Sequence, residues 1–349
     1  MDYEPRSVLL TGGAGFICAN VLQLLVPKYP NIVFINLDSL EYCSCIENVR
    51  NLEHFPNYRF IHGSILDSDM IMKILNDFQI DTIMHFAAQT HVCNSFGDSI
   101  NFSLTNVLGT HTLLECAKNF GIRKFIHVST DEVVGEDTVG IPMDENSKMN
   151  PSNPYAATKA GAELLVKSYH HSFNLPIVIS RGNNVYGQFQ YPEKMIPKFV
   201  NQLMNGKKLT IHGNGSSLRN FLHCSDVASA FEILLFKGVI GEIYNIGGSN
   251  EFTILDVARK ILVEMSGYLE QVYDVQNTED MLQFVEDRNF NDCRYHITSD
   301  KLKALGWEEK TSFEDGLKRT IEWYFDNIGV FGNIDEALVA HPKLLNRKE

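Results

Sequence analysis

Residues 8–26 read VLLTGGAGFICANVLQLLV. An apolar run, VLLT, stops at glycines 12, 13 and 15, and a helix-like apolar pattern begins at once. A tight glycine turn in that position lets backbone N–H groups and the helix N-terminus face a diphosphate. The glycines alone are a weak signal. Their strand–turn–helix setting strengthens it, and so does Asp38, which ends the next apolar run in INLDSL. A carboxylate there accepts hydrogen bonds from an adenosine ribose and repels a 2′-phosphate, so the pattern favours NAD over NADP. The competing reading is a plain helix-opening loop with Asp38 capping a strand.

Working outward, short Ile/Val-rich runs recur at 7–11, 32–38, 58–64, 82–88, 124–130 and 176–181. Helical patterns separate them: one from Gly15, one from Asp67 (a candidate N-cap), then 105–121 and 153–173. Continuously apolar strands joined by helices imply a parallel sheet covered on both faces. Ser64 and Ile65, after the third strand, are placed at the adenine. Ala87 and Ala88, after the fourth, run along the cofactor. Beyond residue 182 the pattern loosens, with GEIYNIGG as one more strand and helices near 253–265 and 311–327. The expected fold is α/β: a Rossmann-type doubly wound parallel sheet over 1–181, with chain returning around 225–248. A smaller, irregular α+β substrate domain takes 182–224 and 249–330, and 331–349 reads as a tail.

The chain has 349 residues, 44% hydrophobic and 21% charged, with a formal net charge of −13. That acidity argues against a protein that coats nucleic acid or anionic membrane. The start, MDYEPRSVLL, lacks the basic flank and apolar run of a signal peptide, and no apolar run reaches the ~20 residues of a membrane span. Seven scattered cysteines suit reduced thiols, so the expected compartment is the cytosol. No HExxH motif or Cys/His cluster with ligand spacing points to a metal.

NPYAATKAG, residues 153–161, sets Tyr155 and Lys159 at i and i+4 on one helix face. A phenol near pKa 10 is a poor base at neutral pH, and a nearby ammonium with a positive nicotinamide ring would favour the phenolate. Tyr155 then takes a proton from a sugar hydroxyl while the carbon gives hydride to NAD⁺. A strand ending in STDEVVGE, residues 129–136, precedes that helix and sets Thr130, Asp131 and Glu132 beside an apolar run. Carboxylates there are costly unless paired or used.

With these motifs the chain, from about residue 6 to 326, resembles the extended short-chain dehydrogenase/reductases that act on nucleotide sugars. STDEV is similar to the NDP-glucose 4,6-dehydratases in particular. The resemblance implies that oxidation at C4 acidifies the C5 proton, that Glu132 removes it, and that Asp131 protonates the departing C6 hydroxyl. Thr130 would hydrogen-bond the C4 oxygen beside Tyr155. Hydride then returns to C6, so no net redox occurs. The two acids need opposite protonation states, and Asp131 must carry the proton. The resemblance adds Phe16, Ile17 and Thr105 to the cofactor site. For the substrate it implies Thr90, Asn184, Lys194, Met195, Ile211, His212 and Asn250, with Arg219 and Arg288 on the diphosphate and Asn291 nearby. HVCNSFGDS, ISRGNNVYG and YPEKMIPKF resemble the dehydratase half of plant-type UDP-rhamnose synthases, which favours UDP-glucose over dTDP-glucose. The resemblance to the wider family also implies a homodimer through 98–120 and 153–173. The plant enzymes continue into an epimerase/reductase half that this sequence does not include, so a separate downstream epimerase/reductase is the expectation.

Four positions depart from the pattern: Cys18 at the third-glycine place, Ser64 where an aspartate often meets adenine, Cys93 for aspartate, and Val134 for tyrosine. Two alternatives keep the fold: an epimerase or decarboxylase acting on a nucleotide sugar, against which Asp131 and Glu132 argue, and an NAD-bound scaffold without catalysis, which Val134 and Cys18 suggest and the complete Thr-Asp-Glu-Tyr-Lys set opposes.

Overall fold

The computed structural model describes residues 3–137, 140–287 and 294–340. Its main sheet begins with β1 (Ser7–Thr11), β2 (Val33–Asp38), β3 (Tyr58–His62), β4 (Thr82–His85), β5 (Lys124–Thr130) and β6 (Ile177–Gly182). A seventh strand, Ile243–Ile246, pairs with β6. The order is Ile243–Ile246, β6, β5, β4, β1, β2, β3, and every pairing is parallel. The chain therefore reverses direction across the sheet between β1 and β4, where their carboxyl ends leave a crevice. Register sets Thr11 beside both Leu37 and His85, and Thr130 beside Gly182. The ends that carry the glycine turn and the acid pair thus come out on one edge.

Both faces are covered, which explains why the strands read as unbroken apolar runs. Val8, Leu10 and Phe34 pack with the helices Phe16–Lys28 and Cys224–Lys237 on one side. Leu9, Ile35, Ile83 and Phe125 pack with Ser68–Asp77, Thr110–Phe120 and Pro154–Phe173 on the other. Asp67 caps its helix, accepting from Met70 N at 2.9 Å. Leu302 and Trp307 also join the first core, so the chain returns to this layer beyond residue 248. A third core, around Val200, Leu203, Leu209, Val257, Ile261 and Leu317, underlies the smaller lobe. That lobe carries a three-stranded sheet, Glu251–Thr253, Leu218–His223 and Asn184–Tyr186, and a two-stranded one, Leu282–Val285 with Leu209–His212.

Two features aim the helix Pro154–Phe173, which carries Tyr155 and Lys159. Asn153 caps it, accepting from Ala156 N at 2.8 Å, with Pro154 in the first turn. Glu163, fully buried, accepts from two of the three guanidinium nitrogens of Arg181 on β6, Nη2 at 2.7 Å and Nε at 3.1 Å. That charged fork fixes the rotation of the helix against the sheet. The helix before it differs from the sequence pattern: Ser103–Gly109 forms a π-helical stretch leading into Thr110–Phe120. Asn106 on that stretch bonds both backbone groups of Gln89, at 2.8 and 3.0 Å, and Thr158 of the helix Pro154–Phe173 at 3.0 Å. Residues 330–340 do not trail away. Leu338 is 4% exposed, and its carbonyl accepts from Gln202 at 3.0 Å. No helix among the described residues is long and apolar enough to cross a membrane.

Candidate active site

The turn after β1 is built from close approaches. Gly12 has φ +75°, and a Cβ there would lie 2.7 Å from the Ala87 backbone. A Cβ on Gly13 would lie 2.0 Å from the Asn36 side-chain oxygen. Asp38 is buried and accepts from Ala14 N at 2.9 Å and Leu40 N at 2.7 Å, so it braces the glycine turn itself. Burial raises its pKa, against these backbone donors. Cys18 fits in the third-glycine place by packing into the core beneath the turn.

These residues open onto a cavity of 410 Å³ lined by Gly12, Gly15, Phe16, Ile17, Asp38, Ser64, Ile65, Ala87, Ala88, Thr90 and Thr105. The same cavity is lined by Thr130, Asp131, Glu132, Tyr155 and Lys159. A strand-end acid, a glycine turn and a helix N-terminus at one end, with the Tyr–Lys pair at the other, fit a dinucleotide laid across the crevice.

Thr130 ends β5 in an extended conformation, and Asp131 starts a 3-10 turn. Thr130 donates to Asp131 Oδ1 at 3.1 Å, and Asn183 Nδ2 donates to Asp131 Oδ2 at 2.6 Å. Burial, then the charge of Glu132, raises the Asp131 pKa to about 7, while Asn183, Thr130 and Arg219 pull the other way. Glu132 receives Asn153 Nδ2 at 3.0 Å and lines both this cavity and the neighbouring cleft. Two adjacent acids thus sit in different surroundings, and the inner one holds its proton to neutral pH.

Burial, helped by Glu132 and Asp131, pushes the Tyr155 phenol well above its usual pKa, and a hydrogen bond with Thr130 opposes this. Lys159 donates to the Val128 carbonyl at 2.6 Å, and burial lowers its pKa to about 8, with Glu163 opposing. The sequence suggested that Lys159 would favour the phenolate. In the protein alone the burial and the two acids dominate, and Tyr155 is held neutral. Val134 packs with Val133, Ala160 and Ile297 in an apolar cluster, which accounts for an aliphatic side chain there.

The second cavity, a cleft of 1170 Å³ between the lobes, is lined by Asn184, Lys194, Met195, His212 and Arg219. Lys194 donates to Thr90 O at 2.8 Å, and Arg219 lies over the Tyr295 ring at 5.4 Å. Ile211 instead faces the core of the smaller lobe, fully buried. Asn250 lines neither cavity; its carbonyl accepts from Phe221 N at 3.4 Å. Arg288 and Asn291 lie outside the described residues. Sequence reasoning missed Asn183 and Asn153 on the two acids, Asn106 on the π-helical stretch, and Asp335, Glu336, Ala337, Val339 and Ala340 along the cleft. The adjacent NN of RGNNVYG was the available sign for Asn183.

Fold and site together define an extended short-chain dehydrogenase/reductase: a doubly wound sheet with a glycine turn, and Tyr155, Lys159 and Thr130 gathered at its crevice. Within that class, the chain belongs to the family described as GDP-mannose 4,6 dehydratase, whose profile matches residues 9–320. It is 49% identical to a trifunctional UDP-glucose 4,6-dehydratase/UDP-4-keto-6-deoxy-D-glucose 3,5-epimerase/UDP-4-keto-L-rhamnose-reductase of Arabidopsis thaliana, over 98% of this chain and 50% of that one. The chain therefore spans half the length of that relative. It is 43% identical to a dTDP-D-glucose 4,6-dehydratase of Homo sapiens, over 97% of this chain and 95% of that one. A dTDP-glucose 4,6-dehydratase from Streptomyces venezuelae, solved with NAD and TYD bound, superposes with a TM-score of 0.86 at 38% identity. It covers 93% of this chain and 98% of its own.

Proposed function

We propose that the protein is an NDP-glucose 4,6-dehydratase that holds NAD in the smaller cavity and a nucleotide sugar in the cleft. The observation that carries this is the acid pair: Asp131, buried between Thr130 and Asn183 with a pKa of about 7, beside a more open Glu132 and within one cavity with Tyr155. When bound, NAD⁺ would supply a hydride acceptor for C4 and a positive ring charge, and its reduced form the hydride for C6. Tyr155 takes the C4 hydroxyl proton, and that added positive charge offsets the burial that keeps the phenol neutral. Thr130 bonds the C4 oxygen. Glu132 removes the C5 proton, acidic beside the new ketone. Asp131 gives its proton to the C6 hydroxyl, which leaves as water. Glu132 then reprotonates C5. Arg219 and Lys194 suit the diphosphate, since a guanidinium pairs with two phosphate oxygens.

UDP-glucose is the favoured substrate, supported by the HVCNSFGDS, ISRGNNVYG and YPEKMIPKF stretches and by the higher identity to the plant relative. The free thiols suit a reducing cytosol. A homodimer is supported by Ile100, Leu104 and Leu108, exposed at four-residue spacing beside exposed Leu164 on the catalytic helix.

The test is incubation with UDP-glucose and with dTDP-glucose in D₂O, with the product identified by NMR. A 4-keto-6-deoxy sugar carrying deuterium at C5 is expected, with the higher kcat/KM for UDP-glucose. A clear preference for dTDP-glucose would overturn the nucleotide choice. A C4 epimer with no loss of water would overturn the dehydratase reading.

A further inference from the structure

Between the two cavities stands a group of side chains that the proposed chemistry does not use. Tyr42 lies on the segment that leaves Asp38, just before Cys43 and Ser44, which line the cofactor cavity. Its hydroxyl donates to Glu193 Oε2 at 2.9 Å and accepts from Asn94 Nδ2 at 2.9 Å. Its ring meets Tyr191 edge-on at 5.7 Å. The three hydrogen-bonded residues come from three separate segments: the loop after β2, the short helix Val92–Gly97 after β4, and the stretch leading to the helix Met195–Met204. Tyr42 and Asn94 line the cleft, while Glu193 and Tyr191 line both cavities. The Tyr42 hydroxyl therefore ties the cofactor-binding layer to the chain entering the smaller lobe, across the line where the cavities meet.

We propose that Tyr42, Glu193 and Asn94 form a clasp on the cleft side of the cofactor cavity, where the two cavities meet, and set the rate at which the dinucleotide enters and leaves. The inference rests on the reading of that cavity as an NAD site. A cofactor that must return its reducing equivalents to the molecule that supplied them cannot leave between the two transfers. Contacts outside the cavity slow departure without altering the reacting groups. The chemistry of the clasp suits this. Burial, then the neighbouring Glu193 carboxylate, raises the Tyr42 phenol, so it stays a donor at working pH. A hydrogen bond to a carboxylate is stronger than one between neutral groups.

The test reads cofactor exchange, with no sugar nucleotide present, so that loss of a substrate contact cannot mimic the effect. Purified protein is desalted, its nucleotide content is measured after heat denaturation, and exchange is followed with labelled NAD⁺. Tyr42→Phe removes only a hydroxyl from a side chain that is 49% exposed, so no buried hole forms. Tyr42→Phe and Glu193→Ala are each expected to speed NAD release about tenfold, the worth of one charge-assisted hydrogen bond. The double variant should be no faster than the faster single one. Wild-type exchange in Tyr42→Phe, or full additivity of the two changes, overturns the clasp. A wild-type protein that neither contains nor takes up NAD removes the cofactor reading, and the clasp with it.

Discussion

Asp131 is held by two opposed influences, and its behaviour with pH follows from them. The free protein carries a proton there up to about pH 7, set first by burial and then by Glu132. As the general acid, it should give kcat/KM a falling limb as pH rises through about 7. Asp131→Asn keeps the shape but cannot give up a proton, so kcat should fall by roughly 10²- to 10⁴-fold with little change in KM. Steady-state rates across roughly pH 5–9 test both. The same shift has a thermodynamic sign. The group ionises near 3.8 when unfolded and near 7 when folded, so stability is lost as pH rises between those values, and the full penalty applies above 7. Asp131→Asn should therefore raise the melting temperature at about pH 8 and lose that advantage at about pH 4. A variant less stable than wild type at the higher pH would mean that Asp131 is not a buried, destabilised carboxyl.

At the scale of elements, the first turn and the catalytic helix bear the strain of precise placement. Gly13→Ala drives a methyl into the Asn36 amide, which is itself buried. It should cost about 1–3 kcal/mol and lower the NAD content of the purified protein; chemical unfolding and nucleotide assay check this. Glu163→Gln leaves Arg181 charged and buried, and should destabilise the protein by ~3–5 kcal/mol in urea unfolding. Strands and helices were legible because parallel strands covered on both faces leave an unmistakable apolar record in the chain. The π-helical stretch was not. Its residues carry the same apolar spacing as an α-helix, and only tertiary bonds from Asn106 to Gln89 and Thr158 distinguish it. The acids, tyrosine and lysine could be read because they lie close in sequence on two successive elements. Their partners Asn183 and Asn153 could not, since those contacts depend on how β6 and the helix cap register against β5. Ile211 was misplaced for a similar reason: alternation along Leu209–His212 sends Ile211 inward and leaves Thr210 and His212 on the cleft.

Across the whole molecule, the two lobes divide the work, and the surface carries a further expectation. Ile100, Leu104 and Leu108 are each more than two-fifths exposed, an apolar stripe that a second copy would cover. Leu104→Glu with Leu108→Glu should convert a dimer into a monomer in analytical ultracentrifugation; an unchanged mass would place the dimer contact elsewhere. The stretch 330–340 has another consequence. Its carbonyls at Leu338 and Val339 are gripped by Gln202 and Lys198, and its small residues Ala337, Val339 and Ala340 form part of the cleft wall. None of the proposed reacting groups lies on it. A single bulkier side chain there would narrow the berth for the nucleotide while the machinery for expelling water stayed as it was. Lineages could thus retune which sugar donor they accept by editing this one segment, without reopening the question of how the reaction is done.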